Sequence, residues 1–125
     1  MKTIFVVAAH PDDEVLGCGG TLLKHVHDGD KVYILFISDG VSGRFKEKDS
    51  DKCLKEISNR EIMARKVSSL GKFKIVDFLN LKNLELSSYP HNYITNIIVK
   101  YFKKYKPDIV YTHYEHDLNI DHYQT

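Results

Sequence analysis

Tryptophan is absent, cysteine occurs twice, proline three times and glycine seven times in the 125 residues, and the 18 Lys and Arg nearly cancel the 17 Asp and Glu. Each shortage removes a class of protein. So little proline and glycine is incompatible with a collagen-like or low-complexity chain. Cys18 and Cys53 have no C-x-x-C companion, which argues against a disulfide framework and a cysteine-rich zinc site and points to a reducing, cytoplasmic compartment. A formal net charge of +1 provides no broad basic field, so no nucleic-acid partner is expected. Lys103, Lys104 and Lys106 read as the solvated end of a helix. No apolar run approaches the roughly 20 residues that a membrane-spanning helix needs, and no membrane insertion is expected. The run Ile4 to Ala9 passes directly into His10-Pro11-Asp12-Asp13-Glu14, which is unlike a secretory leader.

What remains is a chain 42% hydrophobic and 28% charged, in which β-rich apolar runs alternate with longer stretches of helical period. Alternation of this kind predicts β-α-β units and one α/β domain over residues 1–125 with a mostly parallel central sheet. Strands are expected over Thr3–Ala9, Lys31–Ile37, Phe73–Leu79 and Asp108–Thr112, and helices over Glu14–His27, Leu54–Leu70 and Tyr93–Tyr105. In the first helix Val15, Leu16, Leu22, Leu23 and Val26 share a helical spacing, with Gly29 suited to a left-handed cap. In the second, Ile57, Ile62, Val67 and Leu70 approximate one face and Gly71 stops the helix. Arg44 to Lys52 reads as an exposed connection. A further helix begins near Ile120 and has no room to complete, so we expect C-terminal elements of the domain to be missing from this chain.

In an open parallel sheet, ligands bind beyond the carboxyl ends of the strands. Two such ends hold the densest metal-capable groups: His10, Asp12, Asp13 and Glu14 after the first strand, and His113, Glu115, His116, Asp117, Asp121 and His122 after the fourth. Capping of a helix N-terminus explains Asp12-Asp13-Glu14 alone, since each acid there gains about 0.3–1 kcal/mol from the dipole. It does not explain a second His/Asp cluster at another strand end. A dinucleotide turn fits poorly. Gly17-Cys18-Gly19-Gly20 is not G-x-G-x-x-G, it lies inside the helix, and the acids at the turn would repel a pyrophosphate. Those glycines instead suggest close packing of the helix on the sheet. A serine or cysteine nucleophile lacks an assigned base.

The run Ala9-His10-Pro11-Asp12-Asp13-Glu14-Val15-Leu16-Gly17-Cys18-Gly19-Gly20-Thr21 closely resembles the opening signature of the PIG-L/LmbE-like zinc-dependent N-acetylglucosaminyl deacetylases. Ser38-Asp39-Gly40 is similar to that family's second turn, Arg60 with Leu70-Gly71 to its R…LG helix, and Pro107-Asp108-Ile109-Val110 leads to a terminal Asp121-His122 pair. The resemblance implies a Rossmann-like three-layer α/β fold. It implies a zinc site formed by His10, Asp13 and His122, a set that would also hold ferrous iron. Asp12 would be the general base that deprotonates the attacking water and later protonates the leaving amine. The implied reaction removes an N-acetyl group from a GlcNAc-type amino sugar, glycoside or nucleotide-sugar derivative, releasing acetate. Where the family often has a histidine that stabilises the oxyanion, this chain has Asn119, so Asn119 or His116 is expected to donate there. Asp121 is expected to orient a neighbouring ligand or donor, and Arg60 to contact the sugar. The alternatives are hydrolysis of a different amide at the same metal, or a catalytically inactive sugar- or metal-binding module. A homo-oligomer is compatible with all of these.

Overall fold

The computed structural model describes residues 1–90 and 92–125. Four strands, β1 (Thr3–Ala8), β2 (Lys31–Ser38), β3 (Lys74–Leu81) and β4 (Ile109–Tyr111), form one sheet in the order β3-β2-β1-β4. Every pairing is parallel, Val6 lying opposite Ile34 on one side and Tyr111 on the other. Parallel neighbours require crossovers, and the chain supplies them as α1 (Asp13–His27), α2 (Asp51–Gly71) and α3 (Tyr93–Tyr105); a five-residue helix, α4 (Ile120–Gln124), follows β4. Short 3-10 turns stand at Ser42–Arg44 and Leu86–Ser88.

Because side chains alternate along a strand, β1 serves two cores at once. Ile4, Val6 and Ala8 join Val32, Ile34 and Phe36 against Leu22 of α1 and Ala64 of α2. Phe5 and Val7 join Leu35 and Ile37 on the opposite face against Ile94, Tyr101, Phe102 and Tyr105 of α3. This is the expected three-layer α/β arrangement. Each fully buried Phe, Leu or Ile contributes about 1.5–3 kcal/mol, and burial of β1 on both faces fixes the position of the residues that follow it.

Several expectations about the helices need correction. Of the apolar residues in α1 only Leu22 is fully buried, while Leu16 is 81% exposed and Leu23 54%. Gly17 and Gly20 have open space where a Cβ would stand, so they do not bring α1 close to the sheet. Their run instead contains the one non-helical residue inside α1, Cys18 at φ −144°, where the helix kinks. In α2 the buried residues are Cys53, Ala64, Ser68 and Gly71, with Ile62 and Leu70 exposed. The apolar spacing identifies the helix but not its inward face, because small residues rather than large ones pack against the sheet. Gly71 is the last helical residue, and the left-handed cap is Lys72 at φ 57°. Gly71 is small for another reason: a Cβ there would lie 2.5 Å from the Phe73 ring. The segment expected as a connection over 44–52 contains the start of α2, capped by Ser50, whose hydroxyl accepts from the Cys53 N–H at 3.3 Å.

Candidate metal centre

β1 ends at Ala8, and the chain turns within Ala9-His10-Pro11-Asp12 before α1 begins at Asp13. The turn is held by the Asp13 carboxylate, whose Oδ2 accepts the His10 backbone N–H at 2.8 Å. Gly40, at φ +69°, completes it from the end of β2: a Cβ there would come within 3.0 Å of the His10 Cβ. β4 ends at Tyr111, and the loop after it returns across the end of β1, where the His113 Nε2 accepts the Ala9 N–H at 2.8 Å. The start of α4 then brings in His122. Asn119 caps that helix, its side-chain oxygen accepting from the N–H groups of Asp121 at 2.9 Å and His122 at 3.3 Å.

Asp13 Oδ2 is thereby surrounded by imidazole nitrogens. His122 Nε2 lies 3.2 Å away, His10 Nδ1 3.3 Å and His113 Nε2 3.5 Å. Donor atoms of His10, Asp13 and His122 all lie within 4.8 Å of one another. Ligands bound tetrahedrally at about 2.0–2.2 Å stand roughly 3.3–3.6 Å apart, so the spacing of Asp13 from His10 and His122 fits a divalent ion with little movement. His113 differs. Its Nε2 lone pair is engaged by Ala9, and burial together with neighbouring His122 lowers its pKa, so it stays neutral with its proton on Nδ1. It stacks on His122, with ring centroids 3.9 Å apart and an interplanar angle of 18°.

The outer nitrogens of the two histidines beside Asp13 are also engaged. His10 Nε2 lies 2.9 Å from Asp121 Oδ2, and His122 Nδ1 lies 3.0 Å from Asp117 Oδ2. Asp121 is fully buried, and it also accepts the backbone N–H of Leu84 at 2.7 Å and of Leu86 at 3.5 Å. Burial opposes charge on His10, but hydrogen bonds to Asp121 and Asp13 outweigh it and push its pKa up to about 9. Burial likewise works against the charged forms of Asp13 and Asp121, yet hydrogen bonds with His10 hold both below the usual carboxylate range. A metal entering here must displace a proton from His10.

Asp12, next to Asp13 in the chain, is held by a different partner. Its Oδ2 accepts from the Arg60 guanidinium at 2.7 Å, and the same Arg60 nitrogen approaches the Pro11 carbonyl at 3.4 Å. These residues edge a cavity of about 460 Å³ between α1 and α2, lined also by Glu14, Val15, Leu16 and Met63. Glu14 is buried with its Oε2 unpartnered among the described residues, and burial first, then the charges of Asp12 and Asp13, push its pKa up to about 7.

The structure therefore gathers His10, Asp13, His122 and Asp121, places Asp12 and Arg60 beside them, and leaves His116 apart. His116 is 71% exposed in its side chain, with Glu115 at 3.7 Å and the Tyr114 ring as neighbours. Asn119 has its oxygen committed to the cap, which leaves only its amide N–H groups to donate. Sequence reasoning counts His113 and Asp117 among the metal-capable groups but gives neither an individual role. Their signal is present in the spacing: Asp117 and His122 are five apart around a helix cap, and His113 stands two residues past the end of the last strand.

The sequence matches the family model for GlcNAc-PI de-N-acetylase, PIG-L, over residues 5–125. Among curated proteins no sequence matches significantly. Among solved structures, N,N'-diacetylchitobiose deacetylase from Pyrococcus horikoshii superposes with a TM-score of 0.82 at 28% identity, covering 99% of this chain and 46% of that one. The conserved protein TT1542 from Thermus thermophilus gives 0.73 at 25% identity, covering 99% and 52%. The 4-carboxy-2-hydroxymuconate hydratase GalB from Pseudomonas putida gives 0.75 at 22% identity, covering 98% and 51%, a likeness of fold alone. The chain spans about half the length of these neighbours. With the family model matched over nearly its whole length and the signature residues gathered at the ends of β1 and β4, the chain belongs to the PIG-L family.

Proposed function

We propose that the chain carries a metal-dependent N-deacetylase centre acting on an N-acetylated amino sugar of the GlcNAc type. The observation that carries this is the placement of one carboxylate oxygen, Asp13 Oδ2, at 3.2–3.3 Å from two imidazole nitrogens, with a separate carboxylate, Asp12, alongside. Two imidazoles and one carboxylate leave coordination positions open, which is the pattern of a catalytic rather than a structural site. A divalent ion held by His10, Asp13 and His122, zinc or ferrous iron, would supply Lewis acidity toward the acetamide carbonyl and acidify water.

The chain's own residues do the rest. Asp12 takes the proton from the water that adds to the carbonyl carbon and delivers it to the sugar nitrogen as the C–N bond breaks, so that acetate and a free amine leave. Arg60 fixes the Asp12 carboxylate through the 2.7 Å contact and keeps further N–H groups for sugar hydroxyls. Asp121 holds His10, and the amide of Asn119 serves as donor to the developing oxyanion in preference to the exposed His116. The two cysteines are free, in keeping with a cytoplasmic enzyme, and none of the described helices is long and apolar enough to cross a membrane.

The neighbour from Pyrococcus horikoshii is a deacetylase of a chitobiose derivative, which supports an N-acetylated sugar as substrate. The test is acetate release from a panel of N-acetylated sugars by protein stripped with chelator and then given zinc or ferrous iron. Release that depends on the added metal and disappears in Asp13→Ala is expected. Sugar binding without acetate would mark an inactive module, and release equal with and without metal would refute the centre.

A further inference from the structure

His122 presents its two ring nitrogens to two different carboxylates. Nε2 faces Asp13 Oδ2 at 3.2 Å and Nδ1 faces Asp117 Oδ2 at 3.0 Å. A neutral imidazole carries one N–H, and only the bare nitrogen can bind a metal. Which nitrogen is bare is decided by which carboxylate is the better acceptor. Asp13 Oδ2 already accepts the His10 backbone N–H at 2.8 Å and stands 3.3 Å from the His10 ring. Asp117 divides its two oxygens cleanly: Oδ1 accepts the Asn119 N–H at 2.9 Å, which ties the loop before α4, and Oδ2 is directed to His122.

We propose that Asp117 is the positioning residue of the metal centre, accepting the His122 Nδ1–H so that the bare Nε2 faces the ion's place beside Asp13. The proposal rests on the metal-centre reading. The ring of His113, with its centroid 3.9 Å from that of His122, stacks on one face of the imidazole. A metal on Nε2 would then have a carboxylate behind its imidazole ligand, which raises the basicity of that ligand as well as aiming it.

His113, Asp117 and His122 also lie close enough together to hold a cation of their own. With Asp117 Oδ2 3.0 Å from His122 Nδ1, an ion between those two atoms beside a first ion on Nε2 would require the ring to lose both protons, so one ion per chain is expected.

Asp117→Asn separates positioning from loop structure, because asparagine keeps the turn to Asn119 while offering an N–H2 where the second carboxylate oxygen stood. Long-range proton–nitrogen spectra of the metal-free protein, recorded where His122 is neutral, read its tautomer directly, and competition with a chelator reads zinc affinity. In the wild type the proton is expected on Nδ1. In Asp117→Asn it is expected to move toward Nε2, with zinc bound about 10–100-fold more weakly and the metal-free melting temperature little changed. A wild-type proton on Nε2, or Asp117→Asn with the wild-type tautomer and affinity, overturns the proposal. So does binding of two zinc ions per chain with one lost in Asp117→Asn. A wild type that binds no zinc refutes the metal centre, while the tautomer still decides the role of Asp117.

Discussion

Without metal, the stability of this protein should fall as the solution becomes alkaline, and His10 is the group responsible. Its pKa is pushed up to about 9 in the fold, against about 6.5 for an ordinary histidine. A histidine whose folded pKa is raised stabilises fully below the unfolded value, and that stability is lost as pH climbs through the folded one. The whole shift corresponds to about 3 kcal/mol at 1.36 kcal/mol per unit, of which about 2 kcal/mol disappears between pH 7.5 and 9.5. Glu14 also has a raised pKa, about 7, but its loss of stability runs over the lower window, from about 4.5 to 7. Burial pushes up the thiols of Cys18 and Cys53, which add an alkaline slope of their own. The assay is therefore a double difference: urea unfolding at pH 7.5 and 9.5 in chelator, for the wild type and for His10→Gln, which keeps the thiols. The wild type should lose about 2 kcal/mol more than the variant. Equal losses would mean that the pairing of His10 with Asp121 and Asp13 does not hold in solution. Zinc should abolish the difference, since the ion takes the place of the proton.

His10→Ala, Asp13→Ala and His122→Ala should each lose most bound zinc by elemental analysis, whereas His25→Ala and His27→Ala should retain it; full zinc in His122→Ala would break the assignment. Asp12→Asn should keep its metal and lose turnover by roughly 10²–10⁴-fold, as for removal of a general acid–base, and near-normal acetate release would move the base, with Glu14 the next candidate. Asn119→Ala should slow turnover at every pH and cost about 1 kcal/mol of stability through loss of the α4 cap, while His116→Gln should leave rate and pH profile unchanged; a reshaped profile in the latter would return the oxyanion role to His116. Gly40→Ala, which puts a methyl 3.0 Å from the His10 Cβ at a backbone φ of +69°, should weaken zinc binding without touching a ligand, and unchanged affinity would show that the turn has slack.

The strands are legible in the sequence because β1 and β2 are buried on both faces and so consist of little but Val, Ile, Leu and Phe. The gathering of His10, Asp13 and His122 is legible because His10-Pro11-Asp12-Asp13 and Asp121-His122 stand at strand and helix ends, and it is the resemblance of those runs to the family's signature that singles out these three as proposed ligands. The inward faces of α1 and α2 are not legible. Periodicity of large apolar residues marks Leu16, Ile62 and Leu70, which are exposed, while the contacts are made by Ala64, Ser68 and Gly71. Arg60 reads as a sugar contact and stands on Asp12, a pairing between residues 48 apart that no local pattern encodes. His116 looks like the natural substitute for a missing histidine, but the cap at Asn119 turns the chain so that His122 enters and His116 stays in solvent.

The hydrogen bond from His10 to Asp121 joins residues 111 positions apart. On a ribosome, the first histidine of the proposed centre emerges long before its partner, so a nascent chain can complete most of its sheet while owning only half of that centre. Metal capture there would have to follow synthesis of Asp121 and His122, and a bound ion would act as a clasp between the residues around 10 and those around 120. Loss of that clasp, by chelation or by proteolytic trimming ahead of Asp121, would open the centre from one end while leaving β1, β2 and β3 in place.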